Sequence, residues 1–207
     1  MKRFYLGLWL SLLVVSFGRA QSRFSLIANA SPVYTHVTYT QVLPTALGGT
    51  LTGSLDNYGY TIGLGASYQL QPKWTISTGF WYNYQADHLA GFSQKTSYFQ
   101  VPLLVNYKPS VHRLSPYFSG GLVGNYHYKD RVDAALFGGS SGEFVTLKFS
   151  HPYYLSALLG IGAAYSLNSH TSFVIQPYGQ YRLGTPNLFT DYTYLQVGIS
   201  TQVHYRF

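Results

Sequence analysis

Few side chains capable of covalent or metal chemistry fall together in this sequence. Ser150 and His151 follow Glu143, and His170 precedes Ser172 by two positions. A hydrolase would need a serine nucleophile, a histidine base and a carboxylate that orients the base. Tyr153 lies on the apolar face of an alternating segment, so His151 shares that outward parity while Ser150 faces the other way, and Glu143 belongs to the Gly-Gly-Ser-Ser-Gly stretch. The pair at His170 and Ser172 has no acid nearby. Neither set makes a triad, so no catalytic residue and no cofactor-binding motif is expected. Cysteine is absent and the seven histidines are dispersed, which leaves no ligand spacing for a metal. His127 and His151 flank one long connection with opposite parity.

A second group of residues is defined by position more than by chemistry. Trp81, Tyr154, Gln176, Tyr178, Gln180, Arg182 and Arg206 are large polar or aromatic side chains on the less apolar face of alternating segments. Such residues need a scaffold with a distinct inside, and the composition narrows which one. Only 9% of residues are charged, against roughly 25% in soluble domains. No internal run approaches the roughly 20 apolar residues of a membrane helix. A closed barrel is the remaining way to satisfy every backbone group in hydrocarbon.

The strands are read from period-two alternation. From Tyr58 to Leu70, the face carrying Ile62, Leu64 and Tyr68 opposes one carrying Thr61, Gly63, Gly65 and Ser67. From Phe99 to Tyr107, Val101, Leu103 and Val105 oppose Gln100, Pro102, Leu104 and Asn106. From Leu195 to Phe207, Val197, Ile199 and Val203 oppose Gln196, Ser200 and Gln202. Rougher alternation covers 24–39, 74–84, 116–128, 153–167 and 172–183, giving eight strands. A soluble lipocalin-like barrel would carry Lys and Glu on its outer face; here the polar face is Gly, Ser, Thr and Gln, so the apolar face points to lipid. The predicted fold is an all-β, eight-stranded antiparallel transmembrane β-barrel. Two segments, Gly63 to Leu70 and Gly160 to Leu167, resemble each other as repeated hairpin arms. Their glycines at 63, 65, 160 and 162 are expected to be sockets for bulky lumen side chains.

Connections alternate in length along the chain: long at 40–56, short at 71–73, long at 86–96, moderate at 108–115, long at 129–150, short at 168–170 and moderate at 184–191. Short turns belong to the periplasmic side of an outer-membrane barrel, so both termini are expected there. Aromatic girdles follow: Tyr68, Trp74, Tyr107, Tyr117, Tyr165, Phe173, Tyr205 and Phe207 at the periplasmic end, and Tyr58, Tyr84, Tyr98, Tyr128, Tyr153, Tyr181 and Tyr192 at the outer end. All six acidic residues, Asp56, Asp87, Asp130, Asp133, Glu143 and Asp191, fall in or beside expected loops, which leaves Arg182 and Arg206 in a lumen whose strands bring no carboxylate. Loop acids, carbonyls, tyrosines or water would have to satisfy them.

Lys2 and Arg3 precede an apolar stretch and a Gly18-Arg19-Ala20 site, the pattern of a secretory signal peptide over 1–20. Setting Lys2, Arg3 and Arg19 aside from the 13 basic residues leaves 10 against 6 acidic, a net of +4. These form no basic stripe, so nucleic acid is not an expected partner.

The segments from Tyr98 to Lys108, with its Val-Pro-Leu-Leu strand, from Gly120 to Tyr128, and from Gln176 to Gly184 resemble the outer-membrane β-barrel domain family of Bacteroidota, the PorT-like or porin-family proteins. The resemblance spans residues 21–207 and implies a non-enzymatic cell-envelope protein in the outer membrane. Its role would be structural, binding or secretion-accessory. It also implies Tyr205 and Phe207 as the C-terminal signal read by the barrel assembly machinery. Outer-membrane lipid, the barrel assembly machinery during biogenesis and other envelope proteins are the expected partners. The alternatives are a small anion-favouring porin and, behind it, a lipid-modifying outer-membrane hydrolase.

Overall fold

The computed structural model describes residues 23–42, 50–89, 92–133, 144–147, 152–184 and 190–207. The predicted signal peptide, together with Glu143, Ser150 and His151, lies outside the described residues. Nine strands follow in order: β1 Phe24–Val42, β2 Thr50–Gln71, β3 Trp74–Leu89, β4 Phe92–Tyr107, β5 Leu114–Asp133, β6 Phe144–Leu147, β7 Tyr153–Ser166, β8 Thr171–Leu183 and β9 Thr190–Arg206. Eight of them close a ring: each pairs antiparallel with its neighbours, β1 with β9 and β4 with β5, while β7 follows β5. The short β6 adds to the far end of β5, from Asp130↔Leu147 to Asp133↔Phe144. Closure leaves the ring itself no unpaired edge.

The alternation divides the wall into two faces. Leu64, Leu103, Leu159, Ile161 and Ile175 are among the most exposed apolar residues, whereas Thr61, Gln100, Gln176 and Gln196 on the opposite parity are buried inside. Water would not tolerate such an outer belt, but hydrocarbon does. Aromatic pairs border the belt at both ends. Phe24 with Tyr68 and Trp74 with Tyr107 lie at the end that holds the termini, while Tyr34 with Tyr58, Tyr60 with Tyr84, Phe99 with Tyr128 and Tyr126 with Tyr153 lie at the far end.

Three sequence expectations are corrected. The stretches 40–56, 86–96 and 129–150 are not simply loops: the β1–β2 ladder continues to Val42↔Thr50, the β3–β4 ladder to Leu89↔Phe92, and β5 runs to Asp133. A strand of about 9–11 residues spans a bilayer, so strands of up to 22 residues carry the wall well beyond the belt. Beyond the belt no lipid sorts the two faces, so alternation fades although the ladder persists. Tyr98 and Tyr117 are not girdle residues: Tyr117 is buried inside, and Tyr98 packs against His127, Tyr154 and Tyr194 in the lumen. Asp130 is not a loop acid but an inward-facing, buried carboxylate on β5. A bulge causes this, because Ser97 pairs with Lys129 and Tyr98 with His127; the extra residue Tyr128 flips the parity beyond it.

Candidate functional site: the barrel interior

At mid-height the interior is filled by a buried apolar layer of Val33, Trp81, Leu104, Val123, Leu158 and Tyr178. The strands themselves make room for it. A side chain on Gly63 would collide with Trp81, and one on Gly160 with the Gln176 side chain, whereas at Gly65 and Gly162 the obstacle is the neighbouring strand's backbone. The void left beside this layer, bounded by Asn29, Trp81, Leu158, Gln176 and Tyr178, is about 10 Å³. That is no more than a single water occupies by the same measure.

Between this layer and the far end, side-chain amides cross-link the strands. Asn83 Nδ2 donates to Thr61 Oγ1 at 2.7 Å and Gln85 Nε2 to Tyr194 at 2.8 Å. The Tyr194 hydroxyl donates to Gln196 Oε1 at 2.9 Å, and Gln196 Nε2 to the Tyr178 hydroxyl at 3.1 Å. On the opposite wall Gln100 and Gln180 both donate to Asn125 Oδ1, at 2.8 and 3.2 Å. Tyr98, Tyr154 and Tyr194 close above them as edge-on rings. The guanidinium of Arg182 lies 4.4 Å from the centre of the Tyr154 ring, a cation–π contact. Nearer the far mouth, Asp130 accepts from Gln94 Nε2 at 3.0 Å and Thr96 Oγ1 at 3.1 Å. The lumen strands therefore do contribute a carboxylate, contrary to the sequence expectation.

The end that holds the termini is built from smaller inward residues. A second apolar cluster of Tyr117, Ala164 and Val174 forms a floor, and beyond it opens a cavity of about 390 Å³. His204 lines it and hydrogen-bonds Gln202 at 2.8 Å. Gln202 donates to Ser200 at 2.9 Å, and Ser200 to Asn29 at 2.7 Å. The turns at this mouth are pinned by backbone bonds from Lys108 to Lys73 and from Arg206 to His170, and by Asn168 Oδ1, which accepts from the amides of His170 and Thr171.

The interior candidates thus separate by level. Trp81 and Tyr178 sit in the mid-height layer, with Gln176 bordering the small void beside it. Gln180, Tyr154 and Arg182 stand above, and Arg206 is exposed at the terminal mouth, not enclosed in the lumen. Tyr205 and Phe207 face outward, edge to face, at the terminal girdle. Sequence reasoning missed Tyr194, Asn83, Gln85 and Asn125 as network members, though their shared parity with Gln196, Trp81 and Val123 could have found them. His170 is exposed in its turn, and among the described residues no three His, Asp or Glu side chains gather to hold a metal.

No family model matches the sequence, and no curated protein matches it in sequence. Among solved structures the chain is similar to Neisserial surface protein A, at 16% identity and a TM-score of 0.52 over 89% of this chain and 97% of that one. It is also similar to the outer membrane protein OprG from Pseudomonas aeruginosa, at 12% identity and a TM-score of 0.52 over 90% and 98% of the two chains. At these identities the likeness is one of fold. The chain has the fold of the small, eight-stranded outer-membrane β-barrels.

Proposed function

We propose that this is a non-enzymatic integral outer-membrane protein whose barrel is closed to solutes. It acts through the strand extensions at its far end, placed outside the cell, or through envelope partners, with both termini in the periplasm. One observation carries the reading: the layer of Val33, Trp81, Leu104, Val123, Leu158 and Tyr178 leaves about 10 Å³ beside it at mid-height. A ring of eight strands is just wide enough to be filled by its own side chains. The resemblance to PorT-like barrels of Bacteroidota supports a structural, binding or secretion-accessory role in the envelope, with Tyr205 and Phe207 as the assembly signal.

The runner-up is a small anion-favouring porin, for which Arg182 in the lumen and the basic terminal mouth speak. Reconstitution into planar bilayers separates the two. Folded, heat-modifiable protein is expected to leave the bilayer silent. Steady anion-selective single-channel currents that weaken on Arg182→Ala would replace the closed barrel with the porin.

A further inference from the structure

Carboxylates are segregated along the barrel axis, whereas basic residues occur at both ends, with Lys95, Lys129 and Arg131 among the far-end acids. Asp56, Asp87, Asp130, Asp133 and Asp191 all sit on strand segments at the far end, opposite or beside Thr96, Gln94, Leu147, Phe144, His36 and Thr40. Arg23, Lys73, Lys108, Arg113 and Arg206 sit at the end that holds the termini. Four of these five line the 390 Å³ cavity together with His204 and a set of serine hydroxyls. Among the described residues, no carboxylate side chain lines it. Like charges held around one concave mouth raise a local potential that an anion lowers.

We propose that this terminal mouth binds a phosphate-type oxyanion, either free phosphate or the phosphate of a lipid headgroup at the adjacent membrane surface. The buried cluster of Tyr117, Ala164 and Val174 borders the cavity on its inner side, and the mid-height layer leaves only about 10 Å³ beside it, so an anion entering here is held and not conducted. Its donors are of the right kind. Lys108 Nζ donates to Ser166 Oγ at 3.1 Å across the cavity wall, while Lys73 stands exposed beside it, tied through the backbone bond between the two residues. Burial holds Lys108 below the usual lysine range, a cost that a neighbouring anion relieves. Ammonium, guanidinium and hydroxyl groups converging from several turns give charge-assisted bonds that no single surface lysine supplies.

The test uses the purified, folded chain in a maltoside detergent, with two probes: inorganic phosphate, and a short-chain phosphatidic acid below its micelle concentration. Binding is followed by calorimetry and by the ³¹P signal. Lys73→Gln/Lys108→Gln is expected to weaken binding by about five- to tenfold, whereas Arg131→Gln at the far end leaves it unchanged. Heat-modifiable mobility confirms that each variant folds, and the single variant Lys73→Gln, at an exposed turn, serves if the double one does not. Phosphate that binds alone and displaces the lipid identifies a free-anion site; lipid that binds where phosphate does not identifies a headgroup site, and either supports the proposal. No saturable binding of either probe up to about 10 mM, or equal binding by wild type and lysine variants, overturns it. A silent bilayer is compatible with every one of these outcomes, so the closed-barrel reading stands or falls separately.

Discussion

Above the mid-height layer the inward positions carry Asn83, Gln85, Gln100, Gln180, Tyr194 and Gln196, and the space is filled; at the terminal mouth they carry Ser25, Ser67, Ser166, Ser172 and Thr75, and 390 Å³ stays open. The same eight strands surround both regions, so side-chain length decides which part of a narrow barrel is solid. The upper region is held by hydrogen bonds across the ring, such as Gln196 to Tyr178 and Gln180 to Asn125. A buried amide left wholly unpaired is costly, so each member depends on the others for the bonds that it makes. The lower region makes fewer demands on geometry and sets its basic groups around an open cavity. The wall outside is sorted more simply, by lipid against everything else.

The largest effect should come from crossing that outer boundary. Leu103 is 59% exposed on the lipid face of β4, and its partners Thr78 and Leu122 place it within the belt. Leu103→Arg is expected to cost about 2–4 kcal/mol as a charge in mid-bilayer. Three positions on, Asn106 faces inward and donates to Ser77 Oγ at 2.9 Å; Asn106→Ser should cost about 1 kcal/mol, the worth of one hydrogen bond. A folding titration in lipid vesicles that ranks the two equally would reject the assignment of faces.

Within the filled region, Gln196 is the member whose loss strands most partners. It accepts from Asn83, Gln85 and Tyr194 and donates to Tyr178. Gln196→Leu keeps the bulk but removes every one of those bonds, so a loss of about 1–3 kcal/mol is expected from the polar groups left behind. The matching change at the open end, Ser172→Ala, removes a hydroxyl that water can replace and should be neutral within the error of the same titration. Equal losses would mean that the two ends are built alike.

How much of this was legible in the sequence depends on what enforces the pattern. The faces of β2, β4 and β9 could be read because lipid sorts Leu64, Leu103 and Ile199 from Thr61, Gln100 and Gln196 at every second residue. Tyr98 and Tyr117 were misplaced because tyrosine suits both a girdle and a packed interior, and only parity distinguishes them: Tyr98 goes with Gln100, Tyr117 with Ser119. Asp130 was unreadable for a different reason, since the bulge at Tyr128 inverts parity without any mark in the periodicity. The amide network was half visible. Gln176 and Gln180 stood out on β8, but Asn83 and Gln85 lie beyond the apolar part of β3, where alternation had already weakened.

The smallest effect expected to be measurable lies outside the belt altogether, and it sets the comparison from the other side. At the start of the far-end extension, His36 Nδ1 lies 2.6 Å from Asp56 Oδ1, and the Tyr34 hydroxyl donates to the same oxygen at 2.7 Å. The bond with His36, followed by that with Tyr34, holds the Asp56 carboxyl below its ordinary range. A carboxylate favoured in this way adds stability above its unfolded pKa of about 4 and loses it as pH falls through the lower folded value. Both side chains are exposed, at 41% and 54%, and exposed pairs of this kind are worth little. Asp56→Asn should therefore lower the midpoint of unfolding slightly at neutral pH. The gap from wild type should narrow below about pH 4 and vanish once Asp56 is protonated in the folded protein. An NMR titration of the Asp56 carboxyl gives the direct check. A midpoint at or above that of an ordinary aspartate would break the trio, and a gap that widens on acidification would reverse the sign of its contribution.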